Sequence, residues 1–309
     1  MTWQKINHFS KPINNKFFFG ARAPVPIKIK NDIYRVFFGG FDKQQRCSIF
    51  CADININEPS KMFNIKNKPV YKYGKKGYFD DNGIIPSDTI KYKNKNYLIT
   101  SGFSVKNKFY FDAASGILQY DIKKNILKRN NGTILDRNSV DCCWAASPTI
   151  KKIKKKYFMF YVSCFGYKEI KGKYTPIYDI KIRTSDNIFD WSKIENAKGI
   201  FFKNKNEFAL ARPTIIFENK KFHMWFCYRD TKKNFNYRLG YAYSKNGVDW
   251  KRDDFSNKND LTISKSGWDS DMICYPYVFK HKNNIFMLYN GNGYGRTGFG
   301  LAKFKGDLI

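Results

Sequence analysis

The sequence predicts an all-β fold, a five-bladed β-propeller, from evenly spaced prolines, a strand pattern repeated after each, and matching chain ends. Pro24, Pro86, Pro148, Pro213 and Pro276 lie 62, 62, 65 and 63 residues apart, so five units fill the 309 residues. A short strand, a polar turn and an aromatic-rich strand follow each proline, as in PTIIFENKKFHMWFCY from Pro213 and PYVFKHKNNIFMLYNG from Pro276. Short strands and turns at this long a period are the signature of four-stranded propeller blades.

The later strands of each unit repeat as well. Ile180–Trp191 (IKIRTSDNIFDW) and Leu239–Trp250 (LGYAYSKNGVDW) share a strand, a Ser-x-Asn turn and a closing tryptophan, which is expected to open an outer strand. Trp3-Gln4-Lys5-Ile6 carries the same motif without the strands that should precede it, and Gly298–Phe304 reads as a third strand lacking its fourth. The N-terminal segment is therefore expected to complete the last blade and close the ring, removing an exposed edge. The repeats leave no room for a second domain, so residues 1–309 read as one propeller.

Composition bounds the function. Aromatic residues make up 18% of the chain, which suits packed sheets. Seven scattered cysteines with no CxxC pair, and no apolar leader or membrane-length run, predict a cytoplasmic protein with reduced thiols. The net charge is +30, carried by 45 lysines and 11 arginines. The lysines sit in turns and outer strands around the rim, and no nucleic-acid module is present, so a nucleic-acid partner is not expected. Anionic glycans, lipid headgroups or phosphorylated substrates fit that charge better.

Arginine is scarce and therefore informative, because its planar fork matches carboxylate and phosphate where lysine supplies only charge. Arg22 and Arg212 precede first strands, and Arg46, Arg229 and Arg296 follow second strands; both kinds of segment open on one propeller face around the central pocket. These five are candidate ligands for an anionic group. Aligned on the repeat proline, Asp81 and Asp271 stand five residues upstream, Glu207 six and Asp141 seven, with Asp80 and Asp269 flanking the first pair. Glycosyl transfer needs two carboxyl groups across the scissile bond. Glu207 is the candidate general acid, and Asp81 and Asp271 are candidates for base, nucleophile or pKa tuning. Trp144, Trp268, Tyr275 and Tyr289 suit stacking on sugar rings. The three histidines lie far apart, so no metal site or cofactor is expected, apart from a structural Ca²⁺ in the central channel, left open.

Phe79–Ser87 (FDDNGIIPS), Glu207–Pro213 (EFALARP) and the long run from Trp268 to Leu301 resemble a bacterial branch of the five-bladed glycosidase superfamily. That superfamily includes arabinanases, β-xylosidases, invertases and levansucrases, with mannoside phosphorylases as relatives. Members of the branch tend to be encoded among surface-polysaccharide biosynthesis genes. The resemblance spans essentially the whole chain and implies action on glycosidic bonds: hydrolysis, transfer or phosphorolysis of an anionic or phosphorylated sugar. A non-catalytic glycan-binding propeller is the alternative from another class. One departure stands out. Hydrolases of the superfamily place an aspartate on the first strand of the first blade, where this chain reads Gly20-Ala21-Arg22-Ala23-Pro24.

Overall fold

The computed structural model describes residues 2–308 apart from 11, 12, 14, 17, 107, 108, 195–198, 234, 255–260 and 307. Among the described residues there is no α-helix, and strands carry the architecture. After β1 (Thr2–Ser10) the chain forms β2 (Phe19–Lys30), β3 (Ile33–Phe41), β4 (Cys47–Asn55) and β5 (Met62–Phe63), a four-stranded antiparallel sheet in that order. A second sheet follows: β6 (Ile84–Tyr92), β7 (Lys95–Lys106), β8 (Phe109–Asp121) and β9 (Ile126–Leu135). The next two antiparallel groups are β10 (Trp144–Ile153), β11 (Lys156–Ile170) and β12 (Lys173–Ser185), then β13 (Glu207–Glu218), β14 (Lys221–Asp230), β15 (Tyr237–Ser244) and β16 (Lys251–Arg252). One parallel pair, Tyr178 with Ala209, joins these two groups into a seven-stranded sheet.

The last sheet has the order β1-β19-β18-β17, built from β17 (Cys274–His281), β18 (Asn284–Asn290) and β19 (Gly298–Lys305). Its outer strand is β1, which runs antiparallel to β19 from Thr2 opposite Lys305 to Ser10 opposite Gly298. The two ends of the chain therefore share one sheet. The first strands pack in cyclic order: β2 on β6, β6 on β10, β10 on β13, β13 on β17, and β17 on β2.

Each repeat proline lies on the first strand of its group, at a break in the ladder. Proline has no N–H to give a ladder, so a bulge is where a strand tolerates it. In four groups the residue before the proline (Ala23, Ser147, Arg212 and Tyr275) has φ of 53–56°, the left-handed region that side-chain-bearing residues rarely occupy.

The two Trp-closed turns form as one motif. Asn187 Oδ1 accepts from the backbone N–H groups of Phe189 and Asp190, and Asn246 Oδ1 from those of Val248 and Asp249. The indole N–H of Trp191 then donates to Ile188 O, and that of Trp250 to Gly247 O. Side-chain carbonyls that bond their own backbone two residues on make asparagine a turn former. The outer strands expected after these tryptophans are rudimentary among the described residues: β16 has two residues, and after Trp191 a single bridge joins Ile200 to Ile180. Residues 195–198, on which part of that expectation falls, lie outside the described residues.

Candidate active site

All five antiparallel groups contribute to one cavity of about 580 Å³. Arg22 and Phe41 reach it from the first, Phe111 from the second, Tyr167 and Lys173–Pro176 from the third. Tyr178, Arg229 and Tyr237 form further wall, and Tyr275, Tyr294 and Arg296 come from the last group. The described lining holds three arginines, a lysine and five tyrosines besides Tyr174, and no carboxylate.

The arginines of this chain divide sharply. Six are ion-paired: Arg35 with Asp53, Arg46 with Asp42, Arg129 with Asp80, Arg137 with Asp112, Arg183 with Asp141, and Arg252 with Glu207 and Asp254. Of the other five, Arg238 donates to two carbonyls, Arg22, Arg229 and Arg296 line the cavity, and Arg212 lies beside Tyr275 of its wall. Arg22 Nη2 donates to the Tyr275 hydroxyl at 2.9 Å, while its Nε is buried without a partner. Arg212 is only 3% exposed; its Nη1 donates to Pro86 O at 2.8 Å and its Nη2 has no partner. The two guanidinium carbons lie 5.3 and 5.9 Å from the centre of the Tyr275 ring. Burial pushes Arg212 down to about 10, which still leaves it a cation at neutral pH. Arg229 Nε donates to Phe235 O, and Arg296 Nη2 to Gln45 Oε1. A buried and a half-buried cation beside one ring, with no carboxylate partner on either among the described residues, form an arrangement that an anion would complete.

The different surroundings of Arg22 and Arg212 follow from register. Arg22 is two residues before its proline and pairs with Gly39 in the ladder. Arg212 is one residue before its proline, in the bulge itself, and so occupies the position of Ala23, Ser147 and Tyr275. Tyrosine hydroxyls complete the wall. Tyr178 and Tyr237 are buried with their hydroxyls in contact. Burial raises Tyr237 and Tyr275 well above the usual phenol range and Tyr167 to about 12, so these groups stay protonated and can donate hydrogen bonds to a ligand.

The other predicted residues are placed elsewhere. Glu207 lines none of the cavities described: its buried carboxylate accepts from Arg252 Nη1 at 2.8 Å and Nη2 at 3.2 Å, and from the backbone N–H of Lys203. Arg46 is held by Asp42 and stacks over Tyr73. Asp271 is exposed, with its backbone bonded to Asn292 and Arg238. Asp269 accepts from Lys5 Nζ at 2.6 Å and from the Tyr289 hydroxyl, and Trp268 is sandwiched between His8 and Tyr289. These three tie β1 to the last sheet. Trp144 is buried against Phe111 and Tyr178, behind the cavity wall. Asp141 is locked by Arg183, Ser163 and Tyr161, and Asp80 by Arg129. Asp81 lines a second cavity of about 560 Å³ with Asp112, Asp136 and Arg137. Phe111 and Asp112, neighbours on β8, face the first and second cavity respectively, so one hairpin divides the two. Among the described residues no group of three or more His, Cys, Asp or Glu is arranged to hold a metal ion. No helix of the described residues is long and apolar enough to cross a membrane.

Sequence reasoning missed Asp179, which follows the cavity residue Tyr178 on β12. Burial raises its carboxyl to about 6, and its Oδ1 has no hydrogen-bond partner. The unfolded chain releases this proton near pH 4, so between about pH 4 and 6 the folded state binds more protons. Its contribution to stability is therefore full at low pH and is lost as pH rises through 6. Asp179→Asn is expected to stabilise the protein at pH 7 by up to about 3 kcal/mol and to flatten its stability profile between pH 4 and 6. Denaturant melts across that range check it; an unchanged profile would contradict the assignment.

No family model matches the chain. An uncharacterised protein of Mycobacterium tuberculosis, present in two strains, is 28% identical over 307 residues, 99% of this chain and 100% of the relative. Among solved structures, the β-1,2-mannobiose phosphorylase of Listeria innocua superposes with a TM-score of 0.72 at 13% identity, covering 99% of this chain and 97% of that one. A thermostable family-43 glycoside hydrolase gives 0.69 at 14% identity, with 97% and 94% covered. Bacillus subtilis levansucrase gives 0.68 at 12%, with 97% and 87% covered. The chain thus has the all-β, propeller-type fold shared by glycoside hydrolases and a glycoside phosphorylase.

Proposed function

We propose that this protein is a carbohydrate-active enzyme, a five-bladed propeller whose central cavity takes an anionic or phosphorylated sugar. The observation that carries this is a tyrosine-walled cavity lined by Arg22, Arg229 and Arg296, with Arg212 beside its wall residue Tyr275, none of the four with a carboxylate partner among the described residues. The cyclic packing of the first strands supports the five-bladed reading, and β1 on β19 supports its closure. Solved structures of this fold include a phosphorylase with bound mannobiose and a levansucrase with bound oligosaccharides, which supports a sugar as ligand. A place in surface-polysaccharide metabolism rests on the sequence resemblance.

The cavity favours phosphorolysis, or transfer from a phosphate-activated sugar, over two-carboxylate chemistry, because its described lining supplies cations and phenols that suit a phosphate nucleophile or leaving group and no carboxyl pair. Of the three predicted catalytic carboxylates, Asp81 alone stands at a cavity described here. It is the candidate for proton transfer if substrate spans both cavities. A thermal-shift panel of neutral oligosaccharides, acidic sugars and sugar phosphates tests the reading, since a ligand of the native state raises apparent stability. Acidic sugars or sugar phosphates are expected to raise the melting temperature of the parent and not of Arg22→Lys/Arg212→Lys. Stabilisation by neutral oligosaccharides alone, equal in both proteins, would refute it.

A further inference from the structure

Resting on the anionic-substrate reading above, we infer that the anion is a diphosphate rather than a single carboxylate, and that the substrate class is a diphosphate ester of a sugar. The cations stand at three depths. Arg212 is buried beside the wall residue Tyr275, Arg22 and Arg229 are half-buried in the lining, and Arg296 and Lys173 are exposed in it. None of the five has a carboxylate partner among the described residues. The guanidiniums of Arg22 and Arg212 each have a nitrogen that is buried and unsatisfied, Nε and Nη2 respectively.

A sugar carboxylate brings one charge on two oxygens and meets the fork of one arginine. It would leave the cations above it uncompensated in a partly dry cavity, where an unmatched charge is costly. A diphosphate carries its charge over two tetrahedral centres, so one phosphoryl group can meet Arg22 while the other meets Arg229 and Arg296. Cations graded from buried to exposed match an extended anion reaching inward from solvent, and they would draw it in. The tyrosines then face the sugar, with hydroxyls as donors and rings as stacking surfaces. The cavity, about 580 Å³, is within the range that holds a ligand of this size.

Calorimetric titration of the full chain at constant ionic strength distinguishes the possibilities, with inorganic pyrophosphate, inorganic phosphate and glucuronate as probes. Pyrophosphate is expected to bind at least about tenfold tighter than glucuronate, with phosphate between them. Arg22→Lys and Arg296→Gln are each expected to weaken pyrophosphate about tenfold, through loss of the fork and of the exposed charge respectively. Arg296 is exposed, so its variant is informative even if Arg22→Lys folds poorly. Glucuronate binding as tightly as pyrophosphate, and weakened by Arg22→Lys, would overturn the diphosphate while leaving the anionic-sugar reading intact. Pyrophosphate binding unchanged in both variants would place it on the lysine-rich surface and overturn the inference. No binding of any probe would remove both.

Discussion

Glu207→Gln is expected to cost about 2–4 kcal/mol of stability, because it removes one side of a buried ion pair and leaves Arg252 with Asp254 alone. Both Glu207 oxygens are occupied, and Arg252 also stacks over Phe226 and Tyr228, so the cluster pins β13 to the short outer strand β16. The outer edge of the fourth group should loosen first. Thermal melts and hydrogen exchange at β15 and β16 read this directly. If the variant melts like the parent yet loses turnover on a substrate found in the panel, Glu207 is a catalytic acid after all.

Deleting residues 2–10 is expected to have a larger effect, about 5 kcal/mol or more, enough to abolish a cooperative transition in a marginally stable domain. The deletion uncovers the whole edge of β19. It also removes Trp3, packed edge-on against Trp225 at 5.7 Å and Phe304 at 5.2 Å, and the Lys5 partner of Asp269. His8, stacked on Trp268 at 4.1 Å, and the Asn7 bond to Pro59 O go with it. Trp225 belongs to β14 and Pro59 to the loop before β5, so β1 fastens its sheet to the groups on both sides. A Trp3→Ala variant should show part of this loss, about 3–5 kcal/mol. Unaltered melting of the truncated protein would show that β1 contributes little.

The fold was legible because backbone constraints leave regular marks. A proline that must sit in a bulge recurs wherever the bulge recurs, and an Asn turn closed by a tryptophan looks alike in both copies. Trp3 could therefore be assigned to the outer strand beside β19 from its motif alone. The site was legible only in part. Position relative to the proline brought Arg22, Arg229 and Arg296 to one face, since loops at the same place in each repeat open on the same side. The carboxylates failed to follow, because an offset of one residue in a strand or bulge turns a side chain to another neighbour. Glu207, Asp141 and Asp80 each face an arginine of a different strand, a pairing across the sheet that sequence position does not encode. Asp179 was invisible for the opposite reason: its raised carboxyl comes from burial, which one aspartate in a strand does not advertise.

The broken ladders of the first strands also bear on which ligands those strands suit. All of them but β13, which meets β12 in a parallel bridge, end their sheet, and a strand at a sheet's end ordinarily invites an extended peptide to add as one more strand. Here the proline removes a donor in each, and the left-handed residue before it in four of them bends the edge out of line. An incoming chain could not keep register over more than a few residues. Such edges disfavour the addition of a strand, and they better suit compact ligands that bind through side chains rather than backbone.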